Sequence, residues 1–162
     1  MKNEKLSFEQ LISEHHIIAN KSDADIQRIL AANDWFRIID VRLGDIFVSC
    51  RMPEYGDRNF WITIPEHPNY QFLVGNEELY KTWIEYKTRN SGNPNSHSIE
   101  KYRALIASLD KNGYDSKRVI FVNNRLQVHA GAHRAAWLYN KYGPEFMLSA
   151  VQIIPKQKNA GK

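Results

Sequence analysis

The chain has 162 residues, 43% hydrophobic and 25% charged, a balance that suits one domain with a real core and argues against disorder. The net charge of +4 sits largely in the tail 155–162, because leaving out Lys156, Lys158 and Lys162 gives 19 basic against 18 acidic residues, and no nucleic-acid-binding face is evident. Cys50 is the sole cysteine, the charged start 1–10 lacks the apolar core of a signal peptide, and no apolar run approaches the roughly 20 residues of a membrane span, so the expectation is a reduced, cytoplasmic protein without disulfide or cysteine zinc cluster.

Ser7 caps a helix in which Phe8, Leu11, Ile12, His15 and Ile18 or Ala19 share an apolar stripe. A second helix follows, capped by Ser22 or Asp23, with Ile26, Ile29 and Leu30 facing inward. From residue 35 the period changes. Residues 35–41, 45–50 and 59–64 are rich in β-branched and aromatic side chains, and their short links predict antiparallel strands. After Pro65 and Pro68, an extended piece at 70–74 leads to Gly75. Asn76 opens a helix with Leu79, Tyr80, Trp83, Ile84 and Tyr86 or Lys87 at helical spacing. Residues 90–96, with Gly92 and Pro94, read as a loop, either a connector or a lid. Ser98 caps the next helix, whose stripe is Ile99, Tyr102, Leu105, Ile106 and Leu109, and Asn112-Gly113 ends it. A strand at 118–122, an Asn123-Asn124 turn and a strand at 126–130 follow. A helix at 132–142, stopped by Gly143-Pro144, leads to a last strand at 146–154. The pattern predicts a single α+β domain. Its small mixed sheet is flanked by helices, with residues 1–34 as a helical N-terminal extension and 155–162 as a basic tail.

Chemistry concentrates at Gly131-Ala132-His133-Arg134, where a strand hands over to a helix. The first turn of a helix has amides without intrahelical partners and carries partial positive charge. Gly131 lets the backbone approach a ligand closely, and Arg134 can grip a phosphate through two parallel hydrogen bonds. Between residues 117 and 134 lie Lys117, Arg118, Arg125 and Arg134, with His129 and His133, and no acid. A bound anion would account for that absence. The alternative is a plain glycine turn with Arg134 paired to a carboxylate inside the fold.

The order helix, Asn-Gly turn, apolar strand, second strand, Gly-x-His-Arg and alanine-rich helix resembles the ParB/sulfiredoxin-like superfamily. The likeness is carried by residues 102–114, Val119-Ile120-Phe121-Val122 and residues 124–136, and it covers 98–154; before that only 39–46 match loosely. It implies a strand–turn–helix that binds nucleotide phosphates, as in sulfiredoxins, a free-serine kinase and the CTP-binding domain of partition proteins. Two departures matter. Ala132 stands where sulfiredoxins have their catalytic cysteine, so sulfinic-acid reduction is not expected. Ala130 stands where many kinase-like or hydrolytic members have Asp. The 28 residues after Arg134 also lack the helix-turn-helix of partition proteins, so DNA binding of that type is not expected.

Asp40 and Asp45, flanking the turn 41–44, are the candidates for the missing carboxylate, although turn chemistry explains them more readily; Glu54 and Asp57 are similar. His129 points away from the Ala130 face if the strand is regular. His15 and His16 lie about 100° apart on a helix and chelate poorly. His67 and His97 show no zinc spacing. Lys87 and Arg89 reach a ligand only if the loop 90–96 closes, and Lys81 belongs to a solvated face.

These residues point to a nucleotide-phosphate-binding protein acting in phosphotransfer or nucleoside triphosphate hydrolysis. His133 and Arg134 are the catalytic pair, with Asp40 and Asp45 in reserve. Gly131, Ala132, His133, Arg134, Arg118 and His129 form the binding set, for ATP or CTP with Mg²⁺. A non-catalytic module for a phosphorylated metabolite or nucleotide-sugar, and a nucleic-acid-binding protein, remain as alternatives.

Overall fold

Local signals place most of the elements. The computed structural model describes residues 4–56, 58–91 and 98–156. Six α-helices are present among them: α1 (Phe8–Ser13), α2 (Ala24–Ala32), α3 (Pro68–Leu73), α4 (Glu77–Ser91), α5 (Ile99–Asn112) and α6 (Ala132–Tyr142). Ser7 and Gln10 form a reciprocal capping box on α1, Asp23 caps α2 and Ser98 caps α5. Asp57, His97 and most of the loop 90–96 and of the tail 155–162 lie outside the described residues.

The strands are β1 (Phe36–Arg42), β2 (Phe47–Arg51), β3 (Asn59–Thr63), β4 (Ile120–Val122), β5 (Val128–Ala130) and β6 (Met147–Ile153). They make a four-stranded mixed sheet in the order β1-β6-β4-β5 and a separate antiparallel ribbon, β2-β3. The molecule is therefore of the mixed α+β class. Within the larger sheet β6 runs parallel to β4, whereas β1 and β5 are antiparallel to their neighbours. The short link after β1 does not make a hairpin with β2. A 3-10 turn, Leu43–Asp45, redirects the chain, and β1 pairs with β6 over seven residues from Phe36↔Ile153 to Arg42↔Met147.

Both faces of the large sheet are covered. Ile120, Val122, Leu148 and Ala150 face α6 and Leu109 of α5, while Val119, Phe121, Val151 and Ile153 face α1 and α2. The N-terminal helices thus form one layer of the core. Each fully buried Leu or Ile here contributes about 1.5–3 kcal/mol. A third cluster, with Cys50, Phe72, Tyr80, Trp83 and Tyr102, binds the ribbon to α3, α4 and α5. Trp137 Nε1–H donates to Asp110 Oδ1 at 2.9 Å and ties α6 to α5.

Two expected elements differ. Residues 70–74 are helical for the most part, in α3. Pro68 occupies its first turn, where the missing N–H is harmless, and His67 caps it by accepting from the Asn69 amide at 3.0 Å. Helix α1 stops at Ser13 rather than running to Ile18. His16 turns to φ 58°, and the Ile18 amide donates to the Lys117 carbonyl at 2.8 Å, so pairing with a distant segment wins over helical continuation. No helix among the described residues is long and apolar enough to cross a membrane.

Candidate functional site

The fourth strand of the sheet ends at Ala130, and Gly131 starts α6 at φ 97°, a left-handed conformation open to glycine and strained for other residues. A Cβ at Gly131 would also be tight, 3.1 Å from Ile120 Cγ1 and 3.3 Å from Ile120 Cα. Glycine is thus demanded by the dihedral angle and favoured by the close approach of Ile120. The first intrahelical bond runs from the Ala135 amide to the Gly131 carbonyl, so the three preceding amides have no intrahelical acceptor. Gly131 has no side chain with which to cap this turn, and the first turn holds no acid.

Arg134 in that turn is half-buried and, among the described residues, has no hydrogen bond or salt bridge. Burial, then the neighbouring Arg118 charge, push its guanidinium below the usual arginine range. A desolvated cation without a carboxylate is an unfavourable arrangement that an external anion would relieve. His133 is held differently. Its Nε2 lies 3.0 Å from the Tyr80 hydroxyl, and its ring meets the edge of Tyr102 at 4.6 Å between centroids. Burial raises the Tyr80 pKa, which keeps that hydroxyl protonated and fixes the imidazole in place.

These groups open into a cleft of about 900 Å³ between the α6 start, α2, the ribbon and helices α4 and α5. Among the described residues, five Lys or Arg line it (Arg28, Arg51, Lys87, Lys101 and Arg134) against two acids, Asp23 and Asp25. Both acids are engaged. Asp23 Oδ1 accepts the Asp25 and Ile26 amides at 2.9 and 3.3 Å, and Asp25 pairs with Arg28. Lys87 lies 4.8 Å over the Trp83 ring, and burial lowers its pKa. His67 is structural: with Nδ1 accepting the Asn69 amide, Nε2–H donates to the Ser49 carbonyl at 3.0 Å. Asn69, only 1% exposed, lines the cleft with an Oδ1 that has no hydrogen-bond partner among the described residues.

His129 reaches the cleft through an irregularity. Phe121 pairs with Ala130 and Val122 with Val128, so one step on β4 spans two on β5 and the alternation breaks at a bulge. Val128 and Ala130 consequently pack into cores on different faces of the sheet, and the parity argument from a regular strand does not apply. Leu126, at φ 59°, belongs to the preceding turn, which is why β5 starts later than the apolar pattern suggests.

Gly131, Ala132, His133, Arg134 and His129 are therefore brought together on one wall. Arg118 is exposed and stands off the wall, acting on Arg134 only through its charge. Asp40 and Asp45 are not part of it. Strand β1 is at the opposite edge of the sheet from β5, where Asp40 accepts from Ser149 Oγ at 3.3 Å. Asp45 is bound to Arg42 at 2.7 Å, which holds its carboxyl below the usual range. Sequence reading missed Asp23, Asp25, Arg28, Arg51, Asn69 and Lys101. They come from distant segments with no shared motif, and only their convergence in space identifies them.

Magnesium requires hard oxygen donors in near-octahedral order. With Asp23 capping α2, Asp25 paired, and no group of three His, Cys, Asp or Glu gathered among the described residues, this wall does not fit a magnesium ion held by the protein itself. The arrangement is suited to holding negative charge. No protein-family model matches the chain, and no curated protein or solved structure matches it either.

Proposed function

We propose that this protein binds a nucleotide by its phosphates at the start of α6 and acts in phosphoryl transfer or nucleoside triphosphate hydrolysis. One observation carries the reading: an acid-free helix start with glycine at the cap, whose half-buried Arg134 has no partner among the described residues. The amides of α6 would cradle the phosphates, Arg134 would stabilise charge developing on the transferred group, and His133, fixed by Tyr80, would orient it. The resemblance to the ParB/sulfiredoxin-like superfamily is part of this proposal and supports the same ligand class. Calorimetric titration with ATP, ADP, CTP and GTP tests it. Binding is expected in the micromolar range or better, weakened at least tenfold by Arg134→Ala. Absence of binding by the unaltered protein overturns it.

A second reading has its own observation. Both acids of the cleft are engaged, and Ala130 stands where a catalytic Asp would be expected from the resemblance. On this reading the protein is a non-catalytic module for a nucleotide or nucleotide-sugar. Tight binding without turnover in the presence of Mg²⁺ or Mn²⁺ supports it, whereas product formation excludes it.

A further inference from the structure

We propose that the base of the bound nucleotide stacks on Trp61, which flanks the cleft residue His129 on the ribbon beside the cleft. This inference rests on the nucleotide reading and adds the second half of the ligand: a planar heterocycle as well as phosphate.

The register of the ribbon sets the wall. Ser49 pairs with Trp61 and Arg51 with Asn59, and side chains alternate along a strand, so Ser49, Arg51, Asn59 and Trp61 share one face. Ser49, Arg51 and Asn59 line the cleft, and Trp61 stands next to it, with its ring beside that of the lining residue His129. Trp61 is 41% exposed, and its ring lies 6.4 Å from the His129 ring at 37°. A single exposed indole is ordinary. One set beside an imidazole that a β-bulge has turned into a basic cleft is a different matter. The ribbon is also fixed to the sheet at this point, because the Phe47 amide donates to the Leu126 carbonyl at 3.0 Å and Phe47 bridges Gln127.

His129 suits the role. Its Nε2 is buried without a hydrogen-bond partner among the described residues, so no such bond from Nε2 fixes its orientation. Burial, followed by Arg28, lowers its pKa, so the ring is neutral near pH 7 and offers a stacking surface without adding charge. Gly131 lies two positions after His129, about 7 Å of extended chain, comparable with what one ribose places between a base and its nearest phosphate. An indole face accepts any base, so discrimination between purines and pyrimidines is not required of it.

The test compares inorganic tripolyphosphate with ATP and CTP by calorimetry, on the unaltered protein and on Trp61→Ala and Trp61→Phe. The unaltered protein is expected to bind both nucleotides about tenfold or more tightly than tripolyphosphate, the gain from one aromatic–base stack. Trp61→Ala should erase that preference while leaving tripolyphosphate affinity unchanged, and Trp61→Phe should keep most of it. Equal affinity for all three polyanions, or a preference that survives in Trp61→Ala, overturns the base site and leaves the phosphate reading standing. Failure of every polyanion to bind overturns both.

Discussion

Helices α2 and α6 open onto the same cleft, and their first turns follow opposite rules. At α2, Asp23 caps two amides and Asp25 occupies the first turn, with Arg28 closing an ion pair to it. Positive charge at that helix start is neutralised from within. At α6, a left-handed Gly131 takes the cap position and offers no capping side chain, the first turn holds no acid, and Arg134 adds a cation that is unpaired among the described residues. Helix starts normally attract acids because the macrodipole favours them. The comparison teaches that the α6 start is organised for a charge from outside the chain, while α2 shows what the same fold does where only stability is served.

The sharpest way to break the contrast is to give α6 a side chain at its cap. Gly131→Ala forces a Cβ into a left-handed conformation, at about 1–2 kcal/mol, and presses it against Ile120 at 3.1 Å. Adding the strain of overpacking, the expected loss of stability is about 2–4 kcal/mol, read as a lower midpoint in urea unfolding. Arg134→Ala should behave differently. With no internal partner to lose, its unfolding midpoint should hold or rise slightly, while affinity for nucleotide falls by about ten- to a hundredfold, or 1.5–3 kcal/mol. A variant that unfolds more than about 1 kcal/mol more easily would mean that Arg134 is structural, as the arginines of internal ion pairs are.

The same contrast explains what the sequence made legible. Helix α6 and its glycine could be read because both signals are local: apolar spacing, a glycine before the helix, and a missing acid. The capping of α2 by Asp23 was equally visible. Helix α3 was not, since Pro65 and Pro68 read as breakers and His67 is an uncommon cap. The partner of β1 was misjudged because a short link suggests adjacency, yet the apolar register with β6, more than a hundred residues away, decides the pairing. Asp40 and Asp45 border the segment 39–46 that matches the family loosely, and that segment lies at the sheet edge opposite β5, away from the cleft. His129 was assigned by the parity of a regular strand, and a bulge is invisible to parity. The cleft wall itself has no linear signature, because its residues are divided among α2, the ribbon, α4, α5 and the start of α6.

Removing the internal acid from α2 sharpens the comparison from its other side. Asp23→Ala leaves the Asp25 and Ile26 amides without their acceptor, which should destabilise the protein by about 1 kcal/mol. It also subtracts negative charge from the cleft wall. Nucleotide affinity should therefore rise, by about twofold at low salt, with the gain fading as salt screens it. Stability and affinity thus move in opposite directions for Asp23, whereas for Arg134 affinity moves alone. A fall in affinity on Asp23→Ala would instead place this carboxylate among the groups that hold the ligand.

The smallest expected effect is a pH dependence that runs through His129, which lies two positions before the α6 cap and feels the charges of α2. Burial lowers its pKa most, Arg28 of α2 lowers it further, and Asp25 raises it. In the unfolded chain the ring titrates near its ordinary value of about 6.5. Between the depressed folded value and that figure the unfolded chain binds a proton that the folded one does not. Stability therefore falls as pH drops from about 6.5 towards the folded value, and changes no further through this group below it. His129→Asn should flatten that segment of the stability curve, measured as urea midpoints across the acid range. Asp25→Asn should steepen it, because the only neighbour that supports the charged imidazole is lost while Arg28 stays. If Asp25→Asn leaves the slope unchanged, the α2 pair does not reach His129, and the two helix starts are electrostatically independent.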